Sequence, residues 1–372
     1  THSLKPLRTL TQTNHITNIG TTHRDDLGFG EVKAFPCVPP HSRRRLETPN
    51  LDKYFAQEGT RFEHAYAGYT VCAPSRTTLC TGRHSGHFVK EGLSGTSLSP
   101  NENVRTIANI MKDAGYETGA FGKIAPLTDP LLQGFDTFVG QIDQSACHQM
   151  YPHAIDKGKR PTSSDDNGGW YNMNLTGNIE NVPSREACMQ NTSSFNYTVD
   201  VFLDSALSWL DNRTADSPFF MYMSFTVPHA GGWGVGTNNA EQGAPVPSDG
   251  IYSNESTWPD VEKDHAAVVT YLDNAIGKLF DVLKEKRLDD ALIFFASDNG
   301  AHNEGTHDVT FFNSTGGLRG FKRSLYEGGV RSPTMVRWKN VVPENRVSTY
   351  PWAFWDIHAT LADLTGSEDE GS

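Results

Sequence analysis

The chain has 372 residues, 37% hydrophobic and 20% charged, with 34 glycines and 20 prolines, a loop-rich globular composition that is neither disordered nor fibrous. Its formal net charge of -12 argues against a general polyanion-binding surface, so no nucleic acid partner is expected and an anionic substrate would need a local basic pocket. No apolar run approaches membrane-spanning length, and the core fills either two or three average domains or one large α/β unit.

Thr1 to Asn14 shows no recognisable pattern, and Asp25-Asp26 ahead of Leu27-Gly28 reads, taken alone, as a solvated turn. In Val71 to Arg83, Pro74 lies just inside a helix start and is followed by Ser75, Thr77, Thr78 and Leu79. This puts Cys72 at the entrance to a helix, where free backbone N–H groups favour an anion, with Arg76 one turn on facing the same spot. The bland reading is a helix N-terminus with a buried cysteine and surface arginines. Val104, Ile107, Ile110 and Met111 recur at helical spacing up to Gly115, and Thr118 to Phe121 reads as a short strand leading to Gly122-Lys123. The stretch from Cys147 to about Pro183 is rich in Gly, Asn, Ser and Asp without periodicity, as is Ala230 to Ser256; both read as long surface loops.

Val201, Ala206, Leu207 and Leu210 mark a helix, followed by a continuous strand from Phe219 to Phe225 and then Val227-Pro228-His229. A long helix runs from about Val261 to Lys286, with Val268, Leu272, Ile276, Leu279 and Leu283 on one face. Ala291 to Ala296 is an apolar strand closing on Ser297-Asp298-Asn299-Gly300. Trp352 to Leu364 has a helical pattern, and Gly366 to Ser372 is a short acidic tail expected to fray. Helix and strand alternate as a parallel sheet requires, and polar residues follow each strand's C-terminal end, where open α/β sheets place their ligands.

The five cysteines (Cys37, Cys72, Cys80, Cys147 and Cys188) are too few for a disulfide scaffold, and no C-x-x-C pair suggests zinc. Cys147 and Cys188 flank an irregular region and are candidates to pair there, which their separation does not establish. N-x-S/T triplets begin at Asn174, Asn191, Asn196, Asn212, Asn254 and Asn313. Together they favour a secretory route, with a secreted or lysosomal location. The chain starts at Thr1 without a charged-then-apolar leader, so a signal peptide is expected to have been removed or to lie outside the sequence.

Cys72-Ala73-Pro74-Ser75-Arg76, continued by Leu79, Thr81, Gly82 and Arg83, resembles the type I sulfatase signature C-x-P-S-R-x-x-L-x-T-G-R at every fixed position. Asp25-Asp26-Leu27-Gly28-Phe29-Gly30 is similar to the family's D-D-x-G-x-G, and Ser297-Asp298-Asn299-Gly300 to its S-D-N-G. Arg319 to Pro333 resembles its R-G-x-K-x-x-x-x-E-G-G-x-R-x-P. The resemblance runs from Asp25 to about Gly366. It implies an alkaline-phosphatase-like α/β/α sandwich with a mostly parallel central sheet, a catalytic domain over 18–366 between a doubtful N-terminal segment (1–17) and an acidic tail (367–372). The family's smaller C-terminal subdomain is expected to be largely absent.

The resemblance also implies the chemistry. Cys72 would be oxidised by a formylglycine-generating enzyme to an aldehyde whose hydrate attacks sulfur with one hydroxyl and expels sulfate through the other. Asp25, Asp26, Asp298 and Asn299, with the group at position 72, would hold calcium, for which hard oxygens are suited and which would serve as Lewis acid and template. Arg76, Lys123 and Lys322 would hold the sulfate oxygens, and His229 would protonate the departing alcohol. The expected reaction is hydrolysis of a sulfate ester, on a carbohydrate rather than a small aryl alcohol. The rivals are a phosphate or phosphonate ester hydrolase on the same fold, and a secreted sulfatase-like binding protein whose activity has lapsed.

Two departures from the family bear on activity. Many sulfatases carry G-K-x-H where this chain has Gly122-Lys123-Ile124-Ala125, so the recycling histidine is missing; His148, in His148-Gln149-Met150-Tyr151-Pro152, is the proposed substitute. The strand that should deliver the aspartates, Thr17 to Arg24, reads Thr-Asn-Ile-Gly-Thr-Thr-His-Arg, whereas a central parallel strand is buried on both faces and should be apolar. Either the strand is unusual or the sequence before Asp25 is out of frame, and a polar strand would support the metal site poorly.

Overall fold

A computed structural model describes residues 18–36, 46–87, 97–100, 104–160, 168–181, 183–213, 217–233 and 243–367. The patternless N-terminal segment (1–17), Cys37 and the tail beyond Ser367 lie outside them. The strands are β1 (Ile19–Asp25), β2 (Thr60–Phe62), β3 (Ala65–Tyr66), β4 (Glu117–Lys123), β5 (Thr137–Gln141) and β6 (Ala154–Lys159). They continue with β7 (Gly169–Asn174), β8 (Phe219–Pro228), β9 (Leu292–Ser297), β10 (Thr334–Arg337), β11 (Arg346–Ser348) and β12 (Trp352–Ala353). One sheet has the order β11-β2-β10-β9-β1-β8-β4-β5-β6-β7. Its centre, β9-β1-β8-β4-β5, is parallel throughout, while β10 on one side and β6 on the other run against it, and β7, antiparallel to β6, resumes the central direction.

β8 is buried along its whole length, as expected of a central parallel strand covered on both faces. Phe219, Met221, Met223 and Phe225 pack with Phe202, Leu203 and Leu210 of the Thr198–Asn212 helix and Leu272, Ile276 and Leu279 of the Asp260–Glu285 helix. Phe220 and Tyr222 point the other way, into a core with Leu79, Ile107, Met111, Phe354, Ile357 and Leu361. The result is three layers, helices on both faces of a mostly parallel sheet, as the α/β/α expectation required.

Most predicted elements fall within a few residues of their expected bounds; the long helix covers Asp260–Glu285 and the last one Phe354–Thr365. The loop reading of Cys147 to Pro183 needs correction. That stretch contains β6 and β7, which extend the sheet, and the short Thr176–Glu180 helix. Only Ile155 and Gly158 of β6 are buried and β7 buries nothing, so neither leaves an apolar alternation to read. Cys147 and Cys188 do not pair: both are free and buried, and the Cys147 thiol donates to the Gln144 carbonyl at 2.9 Å.

The polar segment before Asp25 does form the central strand, pairing with β8 on one side and β9 on the other. Threonine is β-branched and suits a pleated backbone despite its hydroxyl. Thr22 Oγ1 donates to the Phe294 carbonyl at 3.1 Å, whereas the buried Thr21 Oγ1 has no hydrogen-bond partner among the described residues. That single hydroxyl costs about 1–3 kcal/mol. No frame error is needed to explain a strand that takes its central place.

Candidate active site

The C-terminal ends of the parallel strands converge on one spot, the position where open α/β sheets bind ligands. β1 ends in Asp25-Asp26, β4 in Lys123, β8 leads to His229, and β9 leads to Asp298-Asn299. The register of β1 on β8 shifts between Arg24 and Asp25, and Asp26 adopts a left-handed φ of 69°, which swings the chain out of the sheet. The turn that follows lies against the backbone of residues 313–316. A Cβ on Gly28 would stand 2.2 Å from the Ser314 carbonyl oxygen, and one on Gly30 2.1 Å from that of Asn313, so both glycines of the D-D-x-G-x-G block are sterically required. Cys72 opens the Cys72–Thr81 helix and Arg76 lies in its second turn.

Asp25, Asp26 and Asp298 are fully buried, and one carboxylate oxygen from each lies within 4.8 Å of the others. The Asp26 backbone N–H donates to Asp298 Oδ1 at 3.2 Å and Asn299 Nδ2 to Asp26 Oδ1 at 2.7 Å. Asp25 Oδ1 and Asn299 Oδ1 are left buried without a hydrogen-bond partner among the described residues. Crowded carboxylates with orphaned oxygens fit a hard divalent cation. Burial, reinforced by the charge of Asp25, pushes the Asp298 carboxyl up to about 7 against the pull of Arg76. Burial acts on Asp25 too, but Lys123, His229, Arg76 and Lys322 together hold it well below the usual carboxylate range.

Three buried cations face these acids. Arg76 donates from Nε to Asp298 Oδ2 at 2.7 Å and from Nη1 to the Lys123 carbonyl at 3.2 Å and to Ser224 Oγ. Its Nη2, 3.9 Å from Asp25 Oδ2, has no hydrogen-bond partner among the described residues. Lys123 Nζ donates to Asp25 Oδ2 and lies 3.2 Å from His148 Nε2. Lys322 Nζ donates to Asp26 Oδ2 at 2.7 Å and to Glu304 Oε2 at 2.8 Å. Burial opposes the charge on both lysines, yet the aspartates keep their pKa values above the ordinary one.

The Cys72 thiol is buried, and burial raises its pKa; an unmodified thiol here is a poor nucleophile at neutral pH. His229 Nε2 lies 3.5 Å from Asp26 Oδ2 and 3.3 Å from Glu304 Oε2. Burial and then Lys322 lower its pKa. His148 stacks on it, ring centroids 3.9 Å apart and planes 8° from parallel. Burial, followed by the charges of His229 and Lys123, drives the His148 pKa far down, so this imidazole is neutral, resists protonation while those cations surround it, and accepts at Nε2 from Lys123 Nζ.

All the residues expected from the sequence thus lie in one cluster of side chains. Residues not expected also reach it. Gln144 Nε2 donates to Cys72 Sγ at 3.3 Å. Glu304 contacts Lys322 and His229, pairs with Arg323, and is held down to about 2: burial opposes this, and Lys322 and His229 prevail. Ser224 orients Arg76. Gln144 gave no signal at all, while Glu304 follows closely on the Ser297-Asp298-Asn299-Gly300 block and was within reach of inference.

The family model described as Sulfatase matches residues 25–367. The N-acetylgalactosamine-6-sulfatase of Canis lupus familiaris is 28% identical over 364 residues, covering 92% of this chain and 61% of that protein. An arylsulfatase of Hemicentrotus pulcherrimus is 27% identical, covering 92% of this chain and 57% of its own length. The chain therefore spans about three fifths of the length of the curated relatives it matches. Among solved structures, Ps i-CgsB in complex with k-i-k-neocarrahexaose superposes with a TM-score of 0.66 at 24% identity, covering 95% of this chain and 72% of that one. That likeness speaks for the fold, which is alkaline-phosphatase-like. With the family matched across nearly its whole described length and every motif gathered at the C-terminal ends of the central strands, this chain belongs to the sulfatase family.

Proposed function

We propose that the chain hydrolyses sulfate esters of carbohydrates at position 72, after oxidation of Cys72 to formylglycine. The observation that carries the reading is the convergence of Arg76, Lys123 and Lys322, all buried, with the Asp25, Asp26 and Asp298 cluster around Cys72. The carbohydrate class draws support from the relative named N-acetylgalactosamine-6-sulfatase and from the neighbour crystallised with k-i-k-neocarrahexaose.

Asp25, Asp26, Asp298 and Asn299 would hold calcium, with the group at position 72; bound there, the ion supplies Lewis acidity toward a sulfate oxygen. Formylglycine supplies a hydrate oxygen as nucleophile, and Cys72 Sγ stands where such an oxygen would be. Gln144 Nε2 orients that oxygen. The unpartnered Nη2 of Arg76, with the ammonium groups of Lys123 and Lys322, binds the sulfate oxygens and stabilises charge that develops on them. His229 gives its proton to the departing alcohol oxygen, and His148, hydrogen-bonded to Lys123, stands in for the histidine that Ala125 replaces.

Maturation would need a formylglycine-generating enzyme and a secretory route, to a secreted or lysosomal destination; exposed Asn174, Asn191 and Asn254 leave their triplets open to glycosylation. Among the described residues no helix is long and apolar enough to cross a membrane. The test is mass spectrometry of the peptide bearing position 72 from a competent secretory host, combined with turnover of aryl sulfate against aryl phosphate. Formylglycine with faster sulfate turnover supports the reading. An unmodified cysteine, or a preference for phosphate, overturns it.

A further inference from the structure

A second cluster of titratable groups adjoins the turn that follows Asp25-Asp26. Glu31, Glu262, His265 and His307 are all at most 4% exposed. Glu31 Oε2 accepts from the Gly28 backbone N–H at 2.7 Å, and Glu31 Oε1 accepts from His265 Nε2 at 2.6 Å. His265 projects from the Asp260–Glu285 helix and stacks on His307, centroids 3.8 Å apart and planes 7° from parallel. His307 Nδ1 donates to Glu262 Oε2 at 2.7 Å, and Glu262 Oε1 accepts from the Asp308 N–H at 2.8 Å.

Glu31, His265 and His307 have the composition of a zinc site, each offering a ligand atom within 4.8 Å of the others. The ring geometry rules against it. Two stacked imidazoles 7° from parallel with centroids 3.8 Å apart confine their lone pairs to separate, nearly parallel planes, and one ion about 2 Å from both nitrogens cannot lie in both planes. What the cluster does is join elements. The start of one helix grips the turn after Asp25-Asp26 through His265 and Glu31, and the loop after Asp298-Asn299 through Glu262 and His307. Those two segments carry the acid cluster. Gly28 is tied to the helix through the Glu31 carboxylate, which accepts from its N–H and from His265.

We infer that Glu31 and His265 are positioning residues that preset the Asp25-Asp26 turn for cation binding, so that removing the His265 donor weakens calcium affinity without removing a ligand. The inference rests on the calcium reading above. Outer partners of this kind typically change metal affinity 10–100-fold.

The experiment is calcium titration of the full chain by calorimetry after chelation, for the unchanged protein, His265→Leu, His265→Gln and Glu31→Gln, with a thermal melt of each. Glutamine carries its amide nitrogen where histidine carries Nε2, so His265→Gln keeps the donor and His265→Leu does not. The expected result is a loss of about tenfold or more for His265→Leu, with binding retained in His265→Gln. Glu31→Gln, which keeps an oxygen for the Gly28 N–H but meets His265 with an uncharged amide in place of a carboxylate, falls between. Unchanged calcium affinity in a folded His265→Leu overturns the inference, as do equal losses in the leucine and glutamine variants, which would trace to packing. Should His265→Leu fail to fold, full affinity in Glu31→Gln overturns it. Failure of the unchanged protein to bind calcium instead sinks the calcium reading and is seen in the first titration.

Discussion

Replacing Arg76 with alanine should unfold the protein far more easily by stranding Asp298, and the size of that effect follows from the geometry. Arg76 and Asp298 are both fully buried and lie 2.7 Å apart, Nε to Oδ2. At an effective dielectric of about 20, their Coulomb attraction is about 6 kcal/mol. Desolvation of both groups takes back part of this, and breaking such a pair from one side costs about 3–5 kcal/mol, because the buried Asp298 carboxyl, already pushed up to about 7 with Arg76 beside it, must then stay charged without a partner or take up a proton. The neutral partner change Asp298→Asn keeps an oxygen for Nε and forfeits only the charge, at about 1.5–3 kcal/mol. Both bonds from Arg76 Nη1, to the Lys123 carbonyl and Ser224, are lost whenever the arginine goes and so cancel in a double-mutant cycle. Urea unfolding followed by tryptophan fluorescence, in chelator so that no cation compensates Asp298, should give Arg76→Ala a cost smaller by about 1–3 kcal/mol in the Asp298→Asn background. An equal cost in both backgrounds refutes the reasoning, since Arg76 would then stabilise the fold through packing and its carbonyl contact alone.

His148→Ala should lower turnover of a sulfate ester by about 100-fold or more, with kcat rather than KM carrying the loss; unchanged turnover removes His148 from the mechanism. Chelation should lower the melting temperature, and calcium should restore it; at 100 times its dissociation constant a ligand adds about 2.7 kcal/mol, and a melt indifferent to both treatments refutes the metal assignment. Glu31 lies below its ordinary 4.5, burial notwithstanding, because of His265, and His265 lies above its ordinary 6.5, burial notwithstanding, because of Glu31. A lowered acid contributes stability above its unfolded pKa that is lost as pH falls through the folded value; a raised histidine contributes below its unfolded pKa and loses it as pH rises through the folded one. The pair is therefore at full strength between those two ordinary values. The melting advantage of the unchanged protein over His265→Leu should be greatest there and shrink as pH rises through the raised His265 value or falls through the lowered Glu31 one, and a constant difference refutes the ion pair.

The site was legible in the sequence where strands deliver it. Lys123, His229, Asp298 and Asn299 each follow an apolar run, and Cys72 and Arg76 sit in a helix start whose proline and spacing are distinctive. Gln144 and Glu304 come from irregular chain, and what brings them to Cys72 and Lys322 is tertiary placement with no local period behind it. β6 and β7 were missed because an outer strand with little buried surface leaves no alternation. The apparent fault before Asp25 came from equating a buried strand with an apolar one; Thr21 and Thr22 satisfy the backbone preference of a strand while failing its usual composition.

The place of β1 in the sheet also sets a timetable for synthesis. Its neighbours β8 and β9 lie about 200 and 272 residues further along the chain, so at 5–20 residues per second the first strand waits for roughly 10–50 s on the ribosome without a partner. An apolar strand left open that long would be a template for association with other nascent chains. The hydroxyls of Thr21 and Thr22 make that template less apolar while it waits, and in the finished sheet one of them donates to a carbonyl and the other stays without a partner among the described residues.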